Sequence, residues 1–241
     1  MLDIGKIKAK VFSKKNIIYT LSQPLPEKLL RIFPLDSYTL ALAFFSKKRR
    51  DVLDSIEVFY PVDSAVTWLM RFMDRYNAVA KVYPSILMID LFKYISKNKD
   101  YIFIIGGDHE GLTKFISNIK RLIPDLAIKG TISSERAVKN ISETIEVIQK
   151  VSPFALVFVE SIEPLFDLVI ASKEYFSNVS VIIDITDAYK VYTDIIRVQP
   201  KWSERIILNT AYQVFQKPYL IFLLPVKLFF FLYACICKLR K

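Results

Sequence analysis

One histidine, two cysteines and five glycines among 241 residues set the first limits on this chain. The cysteines, Cys235 and Cys237, stand near the C-terminal end, cannot staple a domain, and lack the second pair that a zinc site needs. They read as small apolar residues, with lipidation the minor alternative. The lone histidine, His109, has no metal-ligand or carboxylate partner that spacing identifies, so no metal and no cofactor is expected; alone it can hydrogen-bond a phosphate or a sugar hydroxyl. Four of the five glycines (Gly106, Gly107, Gly111 and Gly130) fall within the stretch Tyr101 to Gly130, and their spacing is neither the dinucleotide fingerprint nor a P-loop. The basic N-terminus, MLDIGKIKAKVFSKKNIIYTL, lacks an apolar core followed by a small-residue cleavage site, which leads to the expectation of a cytosolic face.

What the chain has in plenty is apolar residues, 53%, and positive charge, +10. The first exceeds what a core requires, and the second favours an anionic partner, either lipid or nucleic acid. Aromatic and basic residues do not interleave as in single-strand binders and no DNA-reading module is recognisable, so nucleic acid is not expected.

Apolar runs alternate with helical periodicity. IEVFY (56–60) reads as a strand and DSAVTWLMRFMDRY as a helix with Asp63 at its N-cap. PSILMIDLFKYISKNK is a helix before a strand over 101–105, and Gly111 opens a helix carrying Leu112, Phe115, Ile116, Ile119 and Leu122 on one side. A strand at LAIKG, a helix over 137–150, a strand over 154–160, a helix over 163–177 and a strand over 179–185 follow. This alternation predicts an α/β fold: a doubly wound, mostly parallel, Rossmann-like sheet. The turns holding Asp63, Gly106–Gly111 and Glu160–Glu163 are expected on the carboxyl edge, where such sheets bind ligands. The glycines after strand 101–105 suit a backbone turn close to a phosphate, although Asp108 and Glu110 repel an anion unless they face away. Alternation stops near residue 200, which divides the chain into an α/β domain, 1–200, and a helical appendage with an apolar tail, 201–241.

In this order the elements resemble the WecG/TagA/CpsF family of bacterial glycosyltransferases. IFIIGGDHEGLTKFISNIKRLIPDLAIKGT looks like the family's strand, Gly-Gly turn, helix and Pro-x-Leu, and RVQPKWSERIILNTAYQVFQKP is similar to its Arg-Ala-Pro-x-Trp element, with Trp202 in place. The resemblance implies transfer of an N-acetylmannosamine-type sugar, with inversion and no obligatory metal, from a UDP-sugar to a polyprenyl-diphosphate-linked acceptor. It makes Asp63 the matching general base, with Ser64 replacing the family's glycine, and puts Lys81 and the turn of Gly106, Gly107 and His109 near the nucleotide-sugar; Arg197 and Lys201, which flank Pro200, read either as substrate contacts or as a solvated basic face. Lys81 stands where the family has arginine, which keeps charge and loses the bidentate fork. Glu160 replaces the glycine of the Gly-x-Pro-x-Gln-Glu turn, TDAYK replaces Gly-Gly-x-Phe-Asp with Lys190 at the aspartate, and Asn209, Thr210 and Gln213 replace Glu, Trp and Arg. Such departures keep a second reading in view, a catalytically inactive relative serving as a binding or scaffold subunit for polysaccharide synthesis.

The tail, YLIFLLPVKLFFFLYACICKLRK (219–241), carries Pro225 and Lys227 inside an apolar run, and both oppose spanning a bilayer. The resemblance implies peripheral attachment to the cytoplasmic face of the cell membrane, and Lys217, Lys227, Lys238, Arg240 and Lys241 are expected to reach anionic headgroups; the alternative is a C-terminal helix folded back over the domain and buried. A homo-oligomer is compatible with the sequence.

Overall fold

A computed structural model of the chain describes residues 2–4, 7–23, 29–73, 79–160, 178–195 and 218–239, with positions 168, 174–176, 211, 212, 214 and 215 between them. A two-stranded antiparallel pair, β1 (Leu2–Ile4) and β2 (Ile7–Ala9), opens the chain. Then come α1 (Lys14–Ser22), β3 (Leu30–Leu35), α2 (Ser37–Phe45), α3 (Lys47–Ser55), β4 (Val58–Pro61), α4 (Ser64–Met73) and α5 (Pro84–Lys97). The series continues with β5 (Tyr101–Ile105), α6 (His109–Leu122), β6 (Ala127–Ile132), α7 (Ser134–Lys139), α8 (Ile141–Val151), β7 (Ala155–Phe158), β8 (Val181–Asp184) and α9 (Thr186–Tyr192). A 3-10 segment, Pro218–Leu223, leads into α10 (Leu224–Leu239).

Six strands form an all-parallel sheet with helices on both sides, in the order β4-β3-β8-β7-β5-β6. The expected α/β class holds. Strands β7 and β8 are buried at every position and β5 at all but Tyr101, which is why they read as unbroken apolar runs and not as alternating ones. Edge strand β6 is mostly uncovered.

The helix expected over 137–150 is two helices. Asn140 leaves helical geometry at φ −132°, ψ 67°, its N–H closing α7 on the Arg136 carbonyl at 3.1 Å and its carbonyl receiving the Thr144 N–H of α8 at 3.0 Å. The helix expected over 163–177 lies outside the described residues apart from Leu168 and 174–176.

The chain divides into two compact units, Met1–Lys15 with Pro34–Val82 and Val198–Lys241, and Asn16–Phe33 with Tyr83–Arg197. In the first, α10 lies on α2. Phe44 meets Phe229, Phe230 and Tyr233 at ring-centroid distances of 6.2, 6.2 and 4.6 Å, and Trp68 of α4 meets Phe231 at 5.9 Å. Lys227, Phe230 and Ala234 form the buried row at spacings of three and four, while Leu228, Leu232, Ile236 and Leu239 form an exposed one. Lys227 was expected among headgroup-facing cations; it is instead 6% exposed, its Nζ 4.5 Å above the Tyr38 ring. Helical phase turns it inward with Phe230 and Ala234. Leu220–Leu239 remains, by length and composition, apolar enough to cross a membrane, with mean hydropathy 2.4.

In the second unit, the connection leaving β5 runs to β6 on one side and the connection leaving β7 runs to β8 on the other. The carboxyl ends of β5 and β7 therefore flank a topological switch point, the place where open α/β sheets form a ligand crevice.

Candidate functional site

In the first unit the polar centre is Asp63, fully buried after β4. Its Oδ1 accepts the Val66 N–H at 2.7 Å, which caps α4 as the sequence predicts. Its Oδ2 accepts both the N–H and the hydroxyl of Ser37, at 2.9 and 2.6 Å. Ser37 begins α2, whose own cap is Asp36, accepting the Thr39 N–H at 2.7 Å. One carboxylate thus receives N–H groups from two helix N-termini, whose dipoles both favour negative charge there. Burial, and then Asp36 and Asp63, push the Tyr38 phenol up; burial pushes the Lys227 ammonium down, opposed by Asp63 and Asp36. Lys81 is half-buried in this unit, beside Val82, whose N–H donates to the Pro61 carbonyl at 2.7 Å.

In the second unit the glycine turn follows β5. Gly106 and Gly107 have φ of 112° and 70°, values a side chain rarely adopts. Asp108 caps α6, accepting the Gly111 N–H at 2.6 Å, so the helix starts at His109, two residues before the expected position. His109 is exposed, and its carbonyl accepts the Thr113 hydroxyl at 2.8 Å. Glu160, at the carboxyl end of β7, reaches the turn: its Oε2 accepts the Gly107 N–H at 3.0 Å and a short hydrogen bond from the Ser134 hydroxyl. Tyr189 of α9 comes from the other side, close enough that a methyl on Gly107 would lie 2.6 Å from its Oη, with Gly111 equally covered.

The position of Tyr189 is fixed by α6. Phe115 meets its ring at 5.4 Å, Asn118 Nδ2 donates to the Tyr192 carbonyl at 2.8 Å, and Lys114 Nζ donates to the Thr193 carbonyl at 3.1 Å while pairing with Asp194 at 2.8 Å. A lysine at the C-terminus of α9 also complements its dipole.

A model of the glycosyl transferase WecG/TagA/CpsF family matches residues 3–241. The chain belongs to this family. A search of curated proteins finds no match. Membership in the WecG/TagA/CpsF family supports a transferase role in polysaccharide biosynthesis, with a sugar donor and an acceptor. Among the site residues expected in this family member, Gly106, Gly107 and His109 share one turn with Glu160; Asp63 and Lys81 belong to the other compact unit. Arg197 and Lys201 lie outside the described residues, as do Trp202 and Glu163. Ser37, Ser134 and Tyr189 escaped the sequence reading. Ser134 carried the only usable signal, a hydroxyl just past the end of a strand.

One further acid sits at a strand end of this transferase. Asp184 is buried at the end of β8, and burial pushes its carboxyl up to about 7, opposed by the Thr186 N–H and hydroxyl at 2.8 and 2.6 Å; Asp187 raises it further and Lys190 lowers it. Between pH about 4 and 7 the folded chain holds a proton that the unfolded chain releases. Stability therefore falls as pH rises through this window, by at most about 1.4 kcal/mol per pH unit from this residue. Urea unfolding across pH 4–8 should show that component in the wild type and not in Asp184→Asn, whose amide oxygen still accepts from Thr186.

Proposed function

We propose that the chain is a membrane-associated, inverting glycosyltransferase that moves an N-acetylmannosamine-type sugar from a UDP-sugar to a polyprenyl-diphosphate-linked acceptor at the cytoplasmic face of the cell membrane. The observation that carries the donor half of this reading is the polar turn at the β5–β7 switch point, built from Gly107, Ser134, Glu160 and Tyr189 within a chain of this family. In the reaction, the acceptor hydroxyl loses its proton to Asp63 as its oxygen bonds to the anomeric carbon; the bond from that carbon to the diphosphate breaks on the opposite face, and UDP leaves. Lys81, Arg197 and Lys201 are assigned to the diphosphate charge, which backbone and cationic donors stabilise as it develops. Because Asp63 is buried, its service as base requires the first turns of α2 and α4 to part when acceptor enters.

That same burial favours the second reading, an inactive relative that keeps the fold and serves as a binding or scaffold subunit. A thermal-shift panel of UDP-glucose, UDP-N-acetylglucosamine and UDP-N-acetylmannosamine separates the two. The transferase reading expects at least one donor, at about a hundred times its Kd, to raise the melting midpoint by about 5 °C or more. No stabilisation by any of the three overturns it in favour of the subunit reading.

A further inference from the structure

Both paired glycines of the turn, and two N–H groups of the helix start behind them, have their backbone donors engaged by the chain. Gly106 N–H donates to the Ile132 carbonyl at 2.9 Å, Gly107 N–H to Glu160 Oε2 at 3.0 Å, Gly111 N–H to Asp108 Oδ1 at 2.6 Å and Leu112 N–H to the Asp108 carbonyl at 3.0 Å. The carboxylates of Asp108 and Glu160 stand where a phosphate would have to come, and like charge opposes it. What the turn presents is different. Among the described residues, Glu160 Oε1 has no hydrogen-bond partner, and neither has the hydroxyl of Tyr189, although that side chain is 4% exposed and its Oη lies against Gly107 and Gly111. The Tyr189 hydroxyl is thus the accessible tip of an otherwise buried side chain, and together with Glu160 Oε1 it offers a donor and an acceptor over a turn at a switch point.

We propose that this turn binds a pair of neighbouring hydroxyl groups of the nucleotide-sugar, one donating to Glu160 Oε1 and the other accepting from Tyr189 Oη, with the diphosphate held elsewhere. The inference rests on the donor reading above and assigns to the Gly106–Gly111 turn a part of the donor other than the phosphates. Burial, and then Asp108 and Glu160, push the Tyr189 phenol up, which keeps it a proton donor. The pair of hydroxyls could belong to the ribose or to the transferred sugar; the chemistry recognised is the same.

Two conservative variants test it in the full-length protein. Tyr189→Phe keeps the ring against Phe115 and removes only the hydroxyl. Glu160→Gln retains an oxygen for Gly107 and Ser134 and turns the outward atom from acceptor to donor. Calorimetric titration with UDP, 2′-deoxy-UDP and UDP-N-acetylmannosamine should show each variant binding its best ligand roughly tenfold more weakly than the wild type. The Tyr189→Phe melting midpoint should stand at or above that of the wild type, because no hydrogen bond within the chain is lost. Weakening on 2′-deoxy-UDP relative to UDP assigns the hydroxyls to ribose; a gain of UDP-N-acetylmannosamine over UDP that the variants abolish assigns them to the sugar. Unchanged affinity in both variants overturns the proposal, and tighter UDP binding by Glu160→Gln overturns it in favour of a phosphate cradle that Glu160 blocks. If the wild type binds none of the three ligands, the donor reading fails and takes this site with it, an outcome visible before any variant is measured.

Discussion

Asp63→Asn is expected to lower sugar transfer by about two orders of magnitude or more and the unfolding free energy by roughly 1–3 kcal/mol. From the α4 cap alone, asparagine would be a near-silent replacement, since its amide oxygen can accept the Val66 N–H. The structure adds the two donors of Ser37 on the other carboxylate oxygen. An amide cannot accept on both sides; its NH2 must face either Ser37 or Val66, donor against donor, in a fully buried site. Ser37→Ala is the control, because it keeps the carboxylate and the Val66 bond while costing about 1 kcal/mol. Urea unfolding and a transfer assay on both variants separate the roles. If transfer falls no further in Asp63→Asn than in Ser37→Ala, Asp63 joins helices and is not the base.

The other large effect concerns the exposed row of α10. Leu228, Leu232, Ile236 and Leu239 face away from α2, with Phe45 57% exposed and Trp68 38% exposed in the same unit. Lys47 and Lys48, at the start of α3, are exposed as well, an unfavourable place for cations relative to the helix dipole and a favourable one beside anionic lipid. Changing Leu232 and Ile236 together to glutamate should weaken binding to anionic vesicles more than tenfold, with the melting midpoint within a few degrees of the wild type, since neither side chain is buried. High salt should weaken the wild-type association without abolishing it, as apolar contacts are insensitive to screening. Vesicle binding by the double variant equal to wild type would remove this face from the membrane. Deleting residues 219–241 is a poorer test than the sequence suggests: it also strips Phe230 and Ala234 from the core and uncovers Phe44.

Strand β5 and helix α5 were legible because their residues are continuous and apolar, or apolar on one face. No element was read before residue 56, and the reasons are physical. Strand β3, LRIFPL, contains a proline, which ordinarily demotes a strand, and a fully buried Arg31, which reads as surface. Helices α2 and α3 meet at Ser46, which ends one and caps the other, so neither is long enough for its period to stand out. Within the site, local chemistry was visible: the glycine turn and the Asp63 cap each depend on residues a few positions apart. Contacts made through space were not. Glu160 reaches Gly107 across 53 positions and Ser134 across 26, and Ser37 reaches Asp63 across 26. Nothing in TDAYK announces that its tyrosine will lie over a turn eighty residues upstream, because α6 decides where α9 rests.

A helix as uniformly greasy as LPVKLFFFLYACICKL has little to tell it which stripe belongs inward, because a rotation of about 100° exchanges one apolar side chain for the next at small cost. Lys227 removes that freedom. The observed rotation and axial setting lay its ammonium over the Tyr38 ring and near the charges of Asp36 and Asp63; settings that bury it elsewhere among the aromatic rings of α10 leave the cation against hydrocarbon, and one that turns it outward forfeits these partners. It serves as an indexing pin, as a single polar residue does in the seam of a coiled coil, trading some burial energy for a unique alignment. Lys227→Met should therefore leave the helix attached but able to occupy several alignments. Broadened methyl and aromatic NMR signals from Phe229, Phe230 and Tyr233 would be the sign, alongside a melting midpoint equal to or higher than that of the parent chain.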